Sequence, residues 1–309
     1  LHLCKENTIL DMNLTNDTLS FKPSNPKNPS TDTHQIDSSL IHSRGKHNTD
    51  LNVLRFNNLN NYNVMDFKLL QDLHYLTPFI DNHNLFSQTN LTQKASSKNT
   101  KTTIFIGDKT NRVFSSGADL KEAYKLNLKY PDYFLYYSMY YYYLFYNNYI
   151  NRDSIMSIWN GIVMGGGVGL TIHSKYRIAT ESTIFSKPES RFGFYANAVY
   201  NHYIGNFVTL PEALHDNFIS RKYSSWEVFN KGFANYFILN KHVAPLMSFM
   251  EEHDIVKDER IIVKFLTYLM QLSLEEIGMK YNESNNTIEH GGSKEGERNV
   301  SEVVSSLCK

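Results

Sequence analysis

Cysteine is nearly missing from this chain: Cys4 and Cys308 stand close to opposite ends of 309 residues. So small a supply excludes a disulfide framework and a cysteine-built metal site, and it suits a reducing compartment. An excess of charge of one sign is missing too. Lys and Arg number 31, Asp and Glu number 31, and the formal net charge is zero. No overall field therefore favours nucleic acid. Long hydrophobic runs are absent, and none approaches the roughly 20 apolar residues of a membrane-spanning helix. Neither G-x-x-x-x-G-K-S/T nor an opening G-x-G-x-x-G occurs, which removes the usual nucleotide-loop signatures. No internal repeat is visible, and the length suits one sizeable domain with appendages.

What is present is concentrated in one stretch, Asn160-Gly-Ile-Val-Met-Gly-Gly-Gly-Val-Gly-Leu170, followed by Lys187-Pro188-Glu189. Consecutive glycines cost backbone entropy and add no packing, so they mark a close approach of backbone to something. They follow a strand-like run, Ile155 to Trp159, and precede a helix-compatible segment. A strand-to-helix turn of this kind points amide N–H groups outward at a helix N-terminus, where an anionic oxygen is favoured. A second small-residue turn, Val113-Phe-Ser-Ser-Gly-Ala-Asp-Leu-Lys-Glu122, follows the strand-like Lys101 to Asp108. Two such turns supply two converging N–H groups, the minimum for an oxyanion hole. Glu189 adds a carboxylate after a further short strand. Together these suit chemistry at an activated carbonyl. Taken alone, the glycines fit a tight turn with close helix packing equally well.

The first fifty residues are rich in Asn, Ser, Thr, Asp and His and lack periodicity, so residues 1–50 are expected to form a polar, disordered extension with few tertiary contacts. Their acids, Glu6, Asp11, Asp17 and Asp32, are unlike a transit peptide. Order begins at 51. Leu51 to Phe56 reads as a strand, Val64 to Leu76 as an amphipathic helix, and 81–99 as a polar loop. Strand 102–106, helix 118–126, an aromatic helix 132–147, strand 154–159 and helix 166–173 follow, then short strands at 176–180 and 183–185. This alternation predicts an α/β core over 51–207. Residues 208–309 read as a helical C-terminal region, including Ile261 to Tyr281. The run Tyr136 to Tyr146 predicts a helix packed on one face and wet on the other.

These residues resemble the crotonase (enoyl-CoA hydratase/isomerase) superfamily, and within it the 3-hydroxyisobutyryl-CoA hydrolase branch, thioesterases of valine breakdown. The likeness is carried by Gly161 to Leu170, His173, Arg177 to Glu181, Phe185 and Pro188-Glu189, with Asn63-Val-Met65, Ser116 to Leu120 and Trp226 to Phe237 in support. It implies a spiral of ββα turns with a C-terminal helical region that is shorter here than in the family. It also implies an acyl-CoA substrate, with coenzyme A arriving as part of that substrate and no other cofactor or metal. A homo-oligomer is compatible with it, and a mitochondrial location follows from the resemblance alone. By residue, it places the oxyanion-hole amides on Ser116 and Gly166, the catalytic carboxylate on Glu189, and substrate contacts on Gly117, Asp119, Gly165, Gly166, Asn197 and Tyr141. Gly169 stands where hydratases of the superfamily carry a second glutamate, which leaves a hydratase or isomerase as the third choice.

The departures weaken the acid–base set. The hydrolases have Phe-Pro-Asp-Val-Gly-Gly where this chain has Tyr195-Ala-Asn-Ala-Val-Tyr200, so Asn197 replaces an aspartate and both glycines are lost. Tyr141 falls where the family has a substrate-contacting glutamate. Asn197 hydrogen-bonds but takes no proton. Two functions follow: a thioesterase on a small 3-hydroxyacyl-CoA using Glu189, or a crotonase-fold structural subunit of the mitochondrial small ribosomal subunit. The glycine triad persisting together with Glu189 favours the hydrolase.

Overall fold

The computed structural model describes residues 10–15, 18–23, 34–37, 40–45, 51–77, 102–282 and 287–290. The chain divides into two compact units, Leu1–Thr33 and His34–Lys309. In the first, Leu10–Thr15 and Thr18–Pro23 pair antiparallel.

The second unit is built on two sheets. The larger has seven strands, in the order Tyr236–Phe237, Tyr176–Ala179, Ile155–Trp159, Thr102–Ile106, Leu51–Phe56, Leu40–Arg44 and His34–Asp37. The first five run parallel, and the last two are added antiparallel. The smaller sheet orders Lys222–Ser224, Ile184–Ser186, Ile162–Met164 and Val113–Ser115. Three of its strands are parallel and Lys222–Ser224 is antiparallel. Three successive passes, starting at Thr102, Ile155 and Tyr176, each give a strand to the larger sheet, then one to the smaller, then a helix or helical turn. That is the ββα spiral.

Four helices matter for the site: α1 (Phe67–Leu76), α2 (Leu120–Lys129), α3 (Pro131–Ile150) and α4 (Gly166–Thr171). Asp66 caps α1 and accepts from the Leu69 amide, which explains why the helix begins at Phe67. Val64 and Met65, expected inside that helix, instead pair with Gly117–Ala118 as a two-residue parallel ladder. The outer layer carries Val243–Met250 and Glu259–Glu276, whose Leu246, Met250, Ile262, Leu266 and Leu269 pack with Ile104, Met156 and Ile178 of the larger sheet. The last helix stops at Glu276, short of the expected Tyr281. Gly278 turns at φ +78°, and Met279–Asn282 becomes a strand paired with Thr287–His290. The expected loop at 81–99 lies outside the described residues.

The boundary expected at residue 51 moves upstream. Leu40–Arg44 pairs with Leu51–Phe56 through five registered positions, from Leu40 against Phe56 to Arg44 against Asn52. Leu40 is completely buried, and the His42 ring meets Asn52 across the ladder at 3.4 Å. Composition missed this because a single leucine at the right register suffices when a parallel sheet would otherwise end on an unpaired edge. Leu40→Ala is expected to destabilise the protein by about 2–4 kcal/mol in urea unfolding. A change near zero would put this strand back outside the core.

Candidate functional site

Three parallel strands of the smaller sheet end side by side. Val163 is in register with Ser115, and Met164 with Ser186. The residues that follow each strand, Ser116-Gly117, Gly165-Gly166 and Lys187-Pro188-Glu189, therefore converge at the carboxyl ends of the strands, where α/β sheets place their ligands. Gly165 takes φ +53° and Gly117 φ +97°. The Gly165 amide donates to the Ser186 carbonyl at 3.1 Å, locking the glycine turn to the strand that leads to Glu189. A Cβ built on Gly117 would lie 2.7 Å from the Gly166 nitrogen, and one built on Gly165 would lie 3.6 Å from Glu189 Oε1. The three sequence-distant turns touch.

Within this cluster the expected roles separate. The Gly166 amide meets no acceptor among the described residues. The Ser116 amide differs: it donates to the Tyr62 carbonyl at 3.1 Å. Tyr62 and Asn63 both take positive φ, and this left-handed turn swings the Tyr62 carbonyl onto the Ser116 amide. Asn63 fixes the turn by donating to the Val113 carbonyl at 2.8 Å and accepting through its own carbonyl from Ser115 Oγ at 2.8 Å. Asp119 caps α2, accepting from the amides of Lys121 and Glu122. Asn197 is half-buried, and its amide donates to the Tyr142 hydroxyl at 2.5 Å. Its partner Tyr142 is exposed and follows Tyr141 directly on α3.

Glu189 is 6% exposed. Its Oε1 pairs with Lys187 Nζ at 2.6 Å, while its Oε2 has no hydrogen-bond partner among the described residues. Lys187 is buried as well, and its ammonium also donates to the Gly165 carbonyl at 3.1 Å and lies 5.6 Å from the centre of the Tyr200 ring. Burial holds the Lys187 ammonium below its usual pKa, against the opposing pull of Glu189. Sequence reading overlooked Lys187 as a site residue. Its signal was a lysine set between a buried strand and a proline, a position that leaves an ammonium facing inward.

Tyr141 enters from α3. A Cβ built on Gly166 would fall 1.4 Å from the Tyr141 hydroxyl oxygen and 2.7 Å from Met65 Cε. The hydroxyl therefore lies directly against the Gly166 Cα. Burial, reinforced by Tyr137 and Glu189, raises the hydroxyl pKa far above its ordinary value. It stays a neutral O–H. Gly169 has no space for a side chain, since a Cβ there would meet Ala198 Cβ at 2.5 Å. His173 is buried edge-on to Tyr149 and Tyr203, and burial holds it neutral, with its pKa lowered to about 4. No group of three or more potential metal ligands is found among the described residues.

An amide-lined turn with one inward carboxylate thus stands at the strand ends of a ββα spiral. A family model described as Enoyl-CoA hydratase/isomerase matches residues 83–309, and the chain belongs to that family. The 3-hydroxyisobutyryl-CoA hydrolase, mitochondrial, of Dictyostelium discoideum is 36% identical over 114 residues, 34% of this chain and 28% of that protein. Small ribosomal subunit protein mS47 of Neurospora crassa is 28% identical over 166 residues, 48% of this chain and 30% of that protein. The crystal structure of an enoyl-CoA hydratase from Bacillus anthracis superposes with a TM-score of 0.53 at 19% identity, covering 69% of this chain and 75% of that one. This last likeness shows the fold. The chain spans about 30% of the length of the two curated relatives named here.

Two measurements test the local physics. Val199, where the resemblance implies glycine, holds φ +63° directly after Ala198 at +59°, a conformation costly for a β-branched residue. Val199→Gly is expected to stabilise the fold by about 1 kcal/mol, read as a raised Tm by calorimetry; a lowered Tm would contradict the strain. Lys187→Met strands the Glu189 carboxylate and should cost about 3–5 kcal/mol. The double variant with Glu189→Gln should recover much of that loss, whereas simple additivity would show that the two side chains are uncoupled.

Proposed function

We propose that this chain is a crotonase-fold protein that has lost acyl-CoA turnover and serves as a structural component of a ribonucleoprotein particle, in the manner of the relatives named small ribosomal subunit protein mS47. The observation that carries the reading is the bond from the Ser116 amide to the Tyr62 carbonyl. An oxyanion hole needs two free donors, and loss of one costs roughly 10²–10³ in rate. The Lys187–Glu189 pair supports the same reading, because the pocket's carboxylate is already matched by a buried ammonium. Asn197, bonded to Tyr142, offers no general base. The alignment with the ribosomal relative runs over 166 residues against 114 for the Dictyostelium hydrolase, although at lower identity. A mitochondrial location belongs to this proposal, and neither reading requires a bound cofactor or metal.

A thioesterase is the second reading, and one observation favours it. Glu189 Oε2 is buried without a partner, next to a turn whose Gly166 amide is free. In that reading Glu189 acts on water or attacks the thioester carbon, and Gly166 steadies the developing oxyanion.

The test measures free-thiol release from isobutyryl-CoA and 3-hydroxyisobutyryl-CoA by the purified protein, beside sedimentation of mitochondrial ribosomal small subunits. The proposal expects no turnover above the uncatalysed rate and co-sedimentation that survives Glu189→Gln. Turnover abolished by Glu189→Gln and raised by Asn197→Asp would replace the proposal with the thioesterase.

A further inference from the structure

We propose that Tyr141 is a resident occupant of the glycine-lined pocket: its phenol fills the space against Gly166 where a short acyl thioester would otherwise enter. This rests on the reading that turnover has been lost, and it states what closes the site.

Four features of the structure point to it. A side chain added to Gly166 would collide with the Tyr141 oxygen at 1.4 Å and with Cζ at 2.5 Å, so this glycine accommodates the phenol as a substrate-binding glycine accommodates a ligand. Met65 Cε lies 2.7 Å from the same built Cβ, so a side chain as well as the glycine backbone closes the space around the oxygen. Clamped on both sides, the ring stacks on Tyr137 at 6.1 Å and meets Phe145 edge-on at 4.5 Å. Finally, Tyr141 projects from the middle of the twenty-residue helix α3. Tyr137, one turn earlier, ties that helix to the Met65 carbonyl through its hydroxyl at 3.0 Å.

The last point separates a fixed plug from a swinging lid. A loop residue could rotate out on ligand binding. Tyr141 is walled by Gly166, Met65, Tyr137 and Phe145, so its ring leaves only if α3 moves. The walls that would receive an acyl group are still in place: Gly117 against Gly166, Gly165 against Glu189. Removing the phenol should therefore expose a cavity that fits the phenol itself and, beside the Gly166 amide, a short acyl thioester.

Equilibrium titrations of the full chain with isobutyryl-CoA and with phenol test this in the unmodified protein and in Tyr141→Phe, Tyr141→Leu and Tyr141→Ala. Tyr141→Phe keeps the ring and should stay closed. Tyr141→Ala should bind phenol, with a raised Tm, and bind isobutyryl-CoA at least roughly ten-fold more tightly than the unmodified protein does. Tyr141→Leu retains more of the packing. If the alanine variant does not fold without phenol, the leucine variant decides, with the same gain for isobutyryl-CoA expected. Unmodified protein that binds isobutyryl-CoA as tightly as the truncated variants overturns the proposal. So do folded truncated variants that bind neither probe. Turnover by the unmodified protein would instead overturn the function proposed above. An inactive protein whose truncated variants bind nothing leaves that function standing and removes only the plug.

Discussion

Everything at the site depends on the parallel pairing of three short strands, Val113–Ser115, Ile162–Met164 and Ile184–Ser186. None is longer than three residues, yet their register fixes where Ser116, Gly165 and Lys187 emerge. Parallel strands need long crossovers, and the crossovers here carry α2 and α3 before the middle strand in the chain and α4 after it. The strand ends therefore gather residues more than seventy positions apart in the chain. Side chains such as Trp159, whose indole donates to Thr171 Oγ1 at 3.0 Å, tie the larger sheet to α4 beneath this junction. Phe185 packs against Trp159, Tyr200, Tyr223 and Phe233 and anchors the strand before Lys187.

Within that frame, backbone and side chains have changed to different degrees. The glycine turns keep the conformations that a ligand-binding backbone needs: Gly117 and Gly165 have positive φ, and no acceptor for the Gly166 amide is found among the described residues. The polar groups around them are satisfied internally. Tyr62 takes the Ser116 amide, Lys187 takes one oxygen of Glu189, and Tyr142 takes the Asn197 amide. A binding site normally leaves such groups for its ligand. Here the protein satisfies most of them itself, as a core does.

The sequence was most legible where glycine and strand periodicity dictate structure. The turn at Gly165, the start of α4 and the aromatic helix α3 follow from the residues themselves, and the ββα spiral follows from the family likeness. It was least legible where one donor had a choice of acceptors. Nothing in Ser116 announces that Tyr62, at φ +53°, will turn its carbonyl toward it. Lys187 was visible but unweighted, because lysine is usually solvated and only the buried strand before it marks this one as inward-facing. The strand Leu40–Arg44 was hidden in a polar segment, since composition averages over fifty residues and a sheet edge requires only five.

Val199 shows which of these changes came at a cost. The hydrolase resemblance implies glycine at this position, and glycine adopts positive φ freely. This chain has valine there and still holds φ +63°, so the loop has kept its path although the residue best suited to it is gone. Two neighbours explain the persistence. Ala198 lies so close to Gly169 that the helix and the loop leave no room for each other to shift, and Tyr200, fully buried below Lys187, anchors the next residue in the core. The loop is held from both ends, and the strain at Val199 is small beside the loss of that packing. A backbone preserved against its own side chains, around a pocket whose polar groups are satisfied from within, agrees with the reading proposed above, in which the fold is kept and turnover is not.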